Sequence, residues 1–366
     1  MKDLFKRLNQ ARTGLNQGRA ATFSDTDIDN MRPCEYFDLI VGSGTGGLIA
    51  IYLGRLKLTI KECEERLVNI GDQVYEAPFS HWNVFQRYSY DSTALEKVLK
   101  EQPGSNLPFC HQEAEGTGCK VAVLVSTGLP GSTQILRSYR HAQTNTQQDT
   151  GVWQTMRATM ASYHDFPPVE TGTQVLWGPD ASFSNPSQVA VGEAEDLFHL
   201  RRNVDLGEPA APGRGLCIMS LGNGLYPESA PFASTPIEYQ IQLSLRKLRG
   251  IVPSLWAAAR GLLPEKVHAL RDLAMGCEHQ HREILAKFPK EADIGTRRDN
   301  LMLYFNSSQS KYFRFNIEDE MGELLDSRTW NDASKARVDE WASTEYLSED
   351  FTPDRLNEWE LACSQL

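Results

Sequence analysis

The chain has 366 residues and a formal net charge of −11, from 48 Asp and Glu against 37 Lys and Arg. Such an acidic balance excludes a nucleic-acid binder, because phosphate neutralisation needs a basic surface. With 40% hydrophobic and 23% charged residues the chain is neither disordered nor collagen-like, and its length suits two domains or one large α/β domain with an appendage, since single cores stop growing near about 250 to 300 residues.

The amino terminus has no uninterrupted apolar stretch ahead of a small-residue cleavage site, so it does not read as a secretory signal. It is Arg-rich and nearly free of acids up to Ser24, a pattern shared with mitochondrial presequences; Leu4, Phe5 and Leu8 equally form one apolar face of an ordinary helix, the reading preferred here. Seven cysteines (34, 63, 110, 119, 217, 277 and 363) are odd in number and lack Cys-x-x-Cys spacing, which points to neither a disulfide framework nor a structural zinc site. A reducing, cytoplasmic location is expected. The longest apolar runs, Leu48 to Leu53 and Val121 to Val125, are too short to span a bilayer, so no transmembrane helix is expected.

Tyr36 to Val41 is an apolar run of buried-strand length that breaks into Gly42-Ser43-Gly44-Thr45-Gly46-Gly47 and continues as a helical run, Leu48 to Leu53. A polar helical stretch extends to about Leu99, and Pro103 to Gly118 reads as a loop. Strands are predicted over Lys120 to Val125 and Gln134 to Tyr139, around a Pro130-Gly131 turn. Residues 140 to 151 form a solvated connection; Trp153, Met156, Arg157 and Met160 mark a short helix ended by Phe166-Pro167-Pro168. A strand to Trp177, a turn at Gly178-Pro179-Asp180 and a helix from about Ser187 to Leu200 follow. A punctuated loop over 207 to 215 leads to a strand at Leu216 to Leu221. Beyond Thr235 the pattern is mostly helical, with one aromatic strand at Lys311 to Phe315. The alternation of strands and helices predicts a mostly parallel sheet covered on both faces.

The glycine turn has two local readings. Gly42-x-Gly44-x-x-Gly47 between a strand and a helix matches the dinucleotide fingerprint, in which glycine backbone approaches a pyrophosphate at a helix N-terminus. Leu56 to Ile60 alternates like a second strand, and Glu62 stands 20 residues after Gly42, where a ribose-binding acid would sit. That reading implies an oxidoreductase with bound flavin or nicotinamide. Alternatively, Gly42-Ser43-Gly44-Thr45-Gly46 is a G-x-S-x-G nucleophile elbow whose central Ser is replaced by Gly44.

The surrounding residues favour the elbow. Pro33 to Ile40, Thr45 to Ala50 and Leu53-Gly54-Arg55-Leu56 together resemble the patatin-like phospholipase family, particularly its fungal members, which carry Gly-Thr-Ser-Thr-Gly-Gly at the turn. Further matches come in order: Arg137-Ser138-Tyr139, Trp153 with Arg157-Ala158-Thr159, Phe166-Pro167-Pro168-Val169, Ser184-Asn185-Pro186, and the strand Tyr312 to Asn316. The resemblance implies a three-layer α/β/α sandwich of patatin type over residues 1–200, with remaining core strands and a helical C-terminal extension over 201–366. It also implies lipid acyl-ester hydrolysis by a Ser-Asp dyad, with backbone N–H groups of a glycine-rich loop holding the oxyanion and no metal or cofactor.

This chain departs from that pattern at three points. Gly44, at the nucleophile position, has no side chain; Ser43 is adjacent but points elsewhere and reads as a turn hydroxyl. Counting back from Pro186 in family register puts Gly178 at the dyad-acid position. The nearest acid is Asp180, either the surviving dyad candidate or an ordinary turn aspartate. No Gly-Gly-Gly-x-Arg-Gly oxyanion loop occurs in residues 1 to 33, so the first strand is expected to be missing. The elbow itself is Gly42, Thr45, Gly46 and Gly47 around Gly44. Expected activity is accordingly weak or nil, the alternative being a non-catalytic lipid-binding or interaction module on the same fold. The ligand is expected to be a lipid or acyl ester, with peripheral membrane contact open. Arg137 and Arg157 are read as ion-pair braces, His279 and His281 as solvated surface, His164-Asp165 as loop polarity, and Trp256 with its apolar neighbours as core.

Overall fold

The computed structural model describes residues 29–75, 88, 90–111, 118–127, 133–141, 150–162, 165–172, 174–179, 185–198, 216–222, 283–284 and 311–315. Its centre is a three-stranded sheet in the order β1-β2-β3, formed by β1 (Leu39–Ser43), β2 (Lys120–Ser126) and β3 (Thr133–Arg137). β1 and β2 run parallel, with Ile40 opposite Val121 and Ser43 opposite Leu124; β3 returns antiparallel, with Leu136 opposite Val123. The sheet is therefore mixed rather than mostly parallel. Only six residues separate β2 from β3, which forces the antiparallel return, because a parallel one needs a crossover of a dozen or more residues.

β2 carries the core. Val121, Ala122, Val123, Leu124 and Val125 have no exposed surface, so both faces of this strand are covered. Val121, Val123 and Val125 share a cluster with Leu48, Ile51 and Tyr52 of the helix that follows β1 and with Val152, Met156 and Ala158 of a later one. The first, α1 (Thr45–Ala50), runs on through a π-helical turn, Ile51–Arg55. It is followed by α2 (Ile60–Ile70) and α3 (Ser92–Lys100); α4 (Val152–Thr159) packs with α1 against β2, and α3 packs on α4.

On the sheet's other face lies α5 (Ser187–Leu197), which packs against β1. Arg137 sits opposite Ala122, one residue beyond Leu136, and so turns to this face. There its guanidinium donates two hydrogen bonds of 2.6 Å to the Glu193 carboxylate, which also accepts from the Tyr139 hydroxyl. The hairpin β4 (Val169–Thr171) and β5 (Gln174–Leu176) precedes α5, and β6 (Cys217–Leu221) pairs parallel with β7 (Lys311–Phe315).

Helix starts follow local chemistry. Thr59 caps α2: its hydroxyl accepts from the Glu62 N–H at 3.2 Å, and the Glu62 carboxylate accepts from the Thr59 N–H at 2.8 Å, a complete capping box. Asp91 caps α3, and the Asn185 side-chain oxygen accepts from the Ser187 N–H at 3.0 Å as α5 opens.

Two elements differ from the sequence reading. Leu56 to Ile60 is not a strand: the Leu56 and Leu58 N–H groups donate to the carbonyls of Ile51 and Tyr52, and Lys57 takes φ 55°. Backbone donors spent on the preceding helix end are not available to a ladder. α4 ends at Thr159, ahead of the Phe166-Pro167-Pro168 stop. The expected helices beyond Thr235 lie almost wholly outside the described residues.

Both bracing arginines are ion-paired. Arg137 meets Glu193 at 2.6 Å. Arg157 is almost fully buried; its Nε lies 3.6 Å from a Glu96 carboxylate oxygen, and its guanidinium centre is 5.4 Å from the Phe166 ring centroid. Its Nη2 donates to the Pro167 carbonyl at 2.8 Å, which ties α4 to the segment entering β4.

Burial alone would raise the Glu193 pKa, but the hydrogen bonds from Arg137 and Tyr139 outweigh it and hold the carboxyl below the usual range. A depressed folded-state pKa contributes stability above the unfolded value, lost as pH falls through the folded one. Glu193→Gln should therefore cost about 3 kcal/mol at pH 7, the scale for breaking a buried ion pair, and should flatten the loss of stability between pH 5 and pH 3. Urea denaturation at these pH values checks both; parallel pH dependences for native and variant would contradict the assignment.

Candidate active site at the first strand-to-helix turn

The chain reverses from β1 into α1 within a single residue. Gly44 has φ 56° and ψ −130°, a conformation that side-chain-bearing residues hold only under strain of about 1 to 3 kcal/mol. Its carbonyl turns back to accept from the N–H groups of Gly47 at 3.0 Å and Leu48 at 3.2 Å, starting the helix. Such a turn presents residue 44 at the end of the sheet and at the positive end of a helix.

The glycines of the turn are glycine for different reasons. A Cβ on residue 42 would lie 2.1 Å from the Gly46 carbonyl oxygen, so that position admits no side chain. A Cβ on residue 47 would lie 2.6 Å from the Thr159 hydroxyl oxygen and 3.0 Å from a Val123 methyl. At Gly44 and Gly46 a Cβ would meet none of the described residues within 4 Å. Gly44 is thus demanded by backbone conformation rather than by crowding, and there is room for a serine side chain. Thr45 and Gly46 face solvent at the outer edge of the turn.

Ser43 is the last residue of β1, in register with Leu124, and lacks the positive φ that distinguishes residue 44. Asp180 lies outside the described residues, whereas Gly178 does not. Trp177 bridges Ser126 at the end of β2 through hydrogen bonds of 2.9 and 2.8 Å, and the Gly178 N–H donates to the Ala161 carbonyl at 2.8 Å. A Cβ at residue 178 would lie 3.1 Å from the carbonyl oxygens of both Thr159 and Ala161.

The C-terminal end of α4 therefore touches both parts of the site. Thr159 contacts Gly44 and Gly47 on one side, and Thr159 with Ala161 seats Gly178 on the other. The glycine turn and the segment at Gly178 meet at this helix end although they are more than 130 residues apart. The sequence reading missed the role of Thr159, since a lone threonine closing a helix gives no local sign of a distant partner.

The residues of the dinucleotide reading are otherwise occupied. Glu62 is the third residue of α2, and its carboxylate is spent on the capping box; the hydrogen bond from the Thr59 backbone, foremost, holds its pKa below the usual range. The strand that would carry a ribose-binding acid is absent at Leu56 to Ile60. Among the described residues no group of three or more His, Cys, Asp or Glu is placed to hold a metal ion, and no helix is long and apolar enough to cross a membrane. His279 and His281 lie outside the described residues; the Asp165 carboxylate accepts a 2.6 Å hydrogen bond from the Ser162 hydroxyl in a turn.

No protein-family model matches the chain. Curated relatives do. The chain is 28% identical over 225 residues to "Calcium-independent phospholipase A2-gamma" of Oryctolagus cuniculus, covering 57% of this chain and 26% of that protein. It is 28% identical over 222 residues to the Mus musculus protein of the same name, with 57% and 27% covered. For the Homo sapiens protein the figures are 28% over 207 residues, with 52% and 24% covered. The chain thus spans about a quarter of the length of these relatives.

The crowding around the turn yields an ordered expectation. Gly42→Ala should destabilise by about 3 kcal/mol or more and disrupt the turn; Gly47→Ala should cost about 1 to 3 kcal/mol as Thr159 and Val123 give way. Gly46→Ala should be neutral or stabilise by up to about 1 kcal/mol, because alanine suits a helix better than glycine. Thermal denaturation of the three variants tests the order, and equal effects at 42 and 46 would contradict the geometry.

Proposed function

We propose that this chain is a patatin-like phospholipase family member, a lipid acyl-ester hydrolase by descent whose nucleophile position is occupied by Gly44. The observation that carries this reading is the turn itself: a strand, one residue at φ 56° and ψ −130°, and a helix, with space but no side chain where a serine would sit. Relatives named as phospholipases support it at the level of chemistry. The proposal extends to a three-layer α/β/α sandwich over residues 1–200 with a helical C-terminal extension over 201–366, and to a cytoplasmic location.

The chemistry follows from what residue 44 supplies. In an active elbow a serine hydroxyl attacks the ester carbonyl, a carboxylate takes its proton, and backbone N–H groups hold the negative charge that develops on the carbonyl oxygen. Glycine removes the first group, so covalent acylation at this position is impossible in the native chain. Asp180 is the candidate for the second. The missing hydroxyl equally favours a second reading, a non-catalytic module that binds an acyl ester or fatty acid without cleaving it.

Hydrolysis of a short p-nitrophenyl ester by the native chain and by Gly44→Ser tests the assignment. Native turnover should match buffer. The variant should fold, about 1 to 2 kcal/mol less stable because of the positive φ, and should acquire ester hydrolysis and labelling by a fluorophosphonate. Turnover by the native chain would overturn the loss of activity. A folded variant that neither hydrolyses nor labels, in a protein that binds no fluorescent fatty acid, would overturn the lipid assignment.

A further inference from the structure

We propose that Thr159 is the positioning residue of the turn at Gly44: its hydroxyl adds a third donor to the Gly44 carbonyl, which the Gly47 and Leu48 N–H groups already draw toward α1, and so steadies the peptide between Gly44 and Thr45. In catalytic terms this rests on the hydrolase reading above; in structural terms it does not. Thr159 closes α4 and is 1% exposed. Its hydroxyl oxygen lies 3.4 Å from the Gly44 carbonyl oxygen and 3.2 Å from the Leu124 carbonyl oxygen. One hydroxyl carries one proton, so it is shared between the carbonyl of the turn and a carbonyl of the buried strand next to it.

The turn is shaped to admit this hydroxyl. A Cβ on residue 47 would lie 2.6 Å from the Thr159 oxygen and 3.1 Å from its methyl, so Gly47 leaves the space that Thr159 fills. A second buried threonine on the same helix behaves differently. The Thr155 hydroxyl is 3.2 Å from the Thr150 hydroxyl and 3.1 Å from the Gly151 carbonyl, both within a few residues of it.

The consequence lies on the far side of the peptide plane. A trans peptide points its N–H opposite to its C=O, so drawing the Gly44 carbonyl toward Thr159 and α1 directs the Thr45 N–H the other way. At helix position N1 that N–H has no intrahelical acceptor. In the α/β-hydrolase elbow the N–H of the residue after the nucleophile is a donor to the developing oxyanion, and on the hydrolase reading the same N–H would add to the donors of a glycine-rich loop. Thr159 thus acts on the site through the peptide it steadies.

Amide hydrogen exchange on the native chain reads this without any activity. Thr159→Val keeps shape and removes the hydroxyl. It should speed exchange of the Gly47 and Leu48 amides about fivefold, the scale of one net hydrogen bond, beyond any change at Val123 and Val125. Thr159→Ser should restore native exchange, and Thr155→Val should leave these two amides unaffected. If Thr159→Val does not fold, Thr159→Ala compared with Thr159→Ser supplies the same contrast. Uniform acceleration across the core, an equal effect of Thr155→Val, or no rescue by serine overturns the proposal. In the Gly44→Ser background, Thr159→Val should slow fluorophosphonate labelling about tenfold, a barrier change of about 1.4 kcal/mol. Labelling absent with and without Thr159 would count against the hydrolase reading, while the exchange result would still decide the role of Thr159.

Discussion

A side chain on residue 42 would begin where the carbonyl oxygen of Gly46 already lies, and from that close approach the rest of the site follows. The approach folds β1 directly into α1 and leaves Gly44 alone to make the reversal at positive φ. It also seats α1 on β2, whose residues from Val121 to Val125 have no exposed surface on either face. A wider turn would lift the helix from the strand and expose β2 residues that are now fully buried.

The turn is held from outside by one helix end. Thr159 reaches the Gly44 carbonyl and fills the place that Gly47 leaves, and Ala161, two residues on, receives the Gly178 N–H. The same short segment therefore supports both the glycine turn and the segment around residue 178. Position 178 is tight: its missing Cβ would press on two carbonyl oxygens. Residue 44 is open. A serine at 44 needs only to bear backbone strain, whereas a side chain at 178 would have to push the end of α4 away, so the two positions do not tolerate side chains equally.

Much of this was legible beforehand, because the signals are local. Strand β1, the glycine turn and α1 are adjacent in sequence, and apolar runs with turn residues between them mark β2, β3, α4 and α5 closely. Leu56 to Ile60 misled for an equally local reason. Its alternation of apolar and polar residues fits a strand, but its N–H groups go to the carbonyls of Ile51 and Tyr52, and Thr59 with Glu62 starts α2 at once. Read as one unit, Thr59-x-x-Glu62 is a capping-box pattern, and it competes directly with the ribose-acid reading of Glu62.

The amino-acid sequence by itself determined the acidic, globular character of the chain, the order of its elements, the glycine turn and the absence of any side chain at residue 44. These are properties of composition and of neighbours along the chain. Only the tertiary structure showed that Glu62 is engaged in a helix cap, turned β3 antiparallel, and joined Gly44, Gly47, Leu124, Thr159 and Gly178 at one helix end. The physical reason is that a hydroxyl sharing its proton between carbonyls at 44 and 124, and a glycine left bare to admit it, are contacts across the fold, and nothing in the spacing of residues along the chain encodes them.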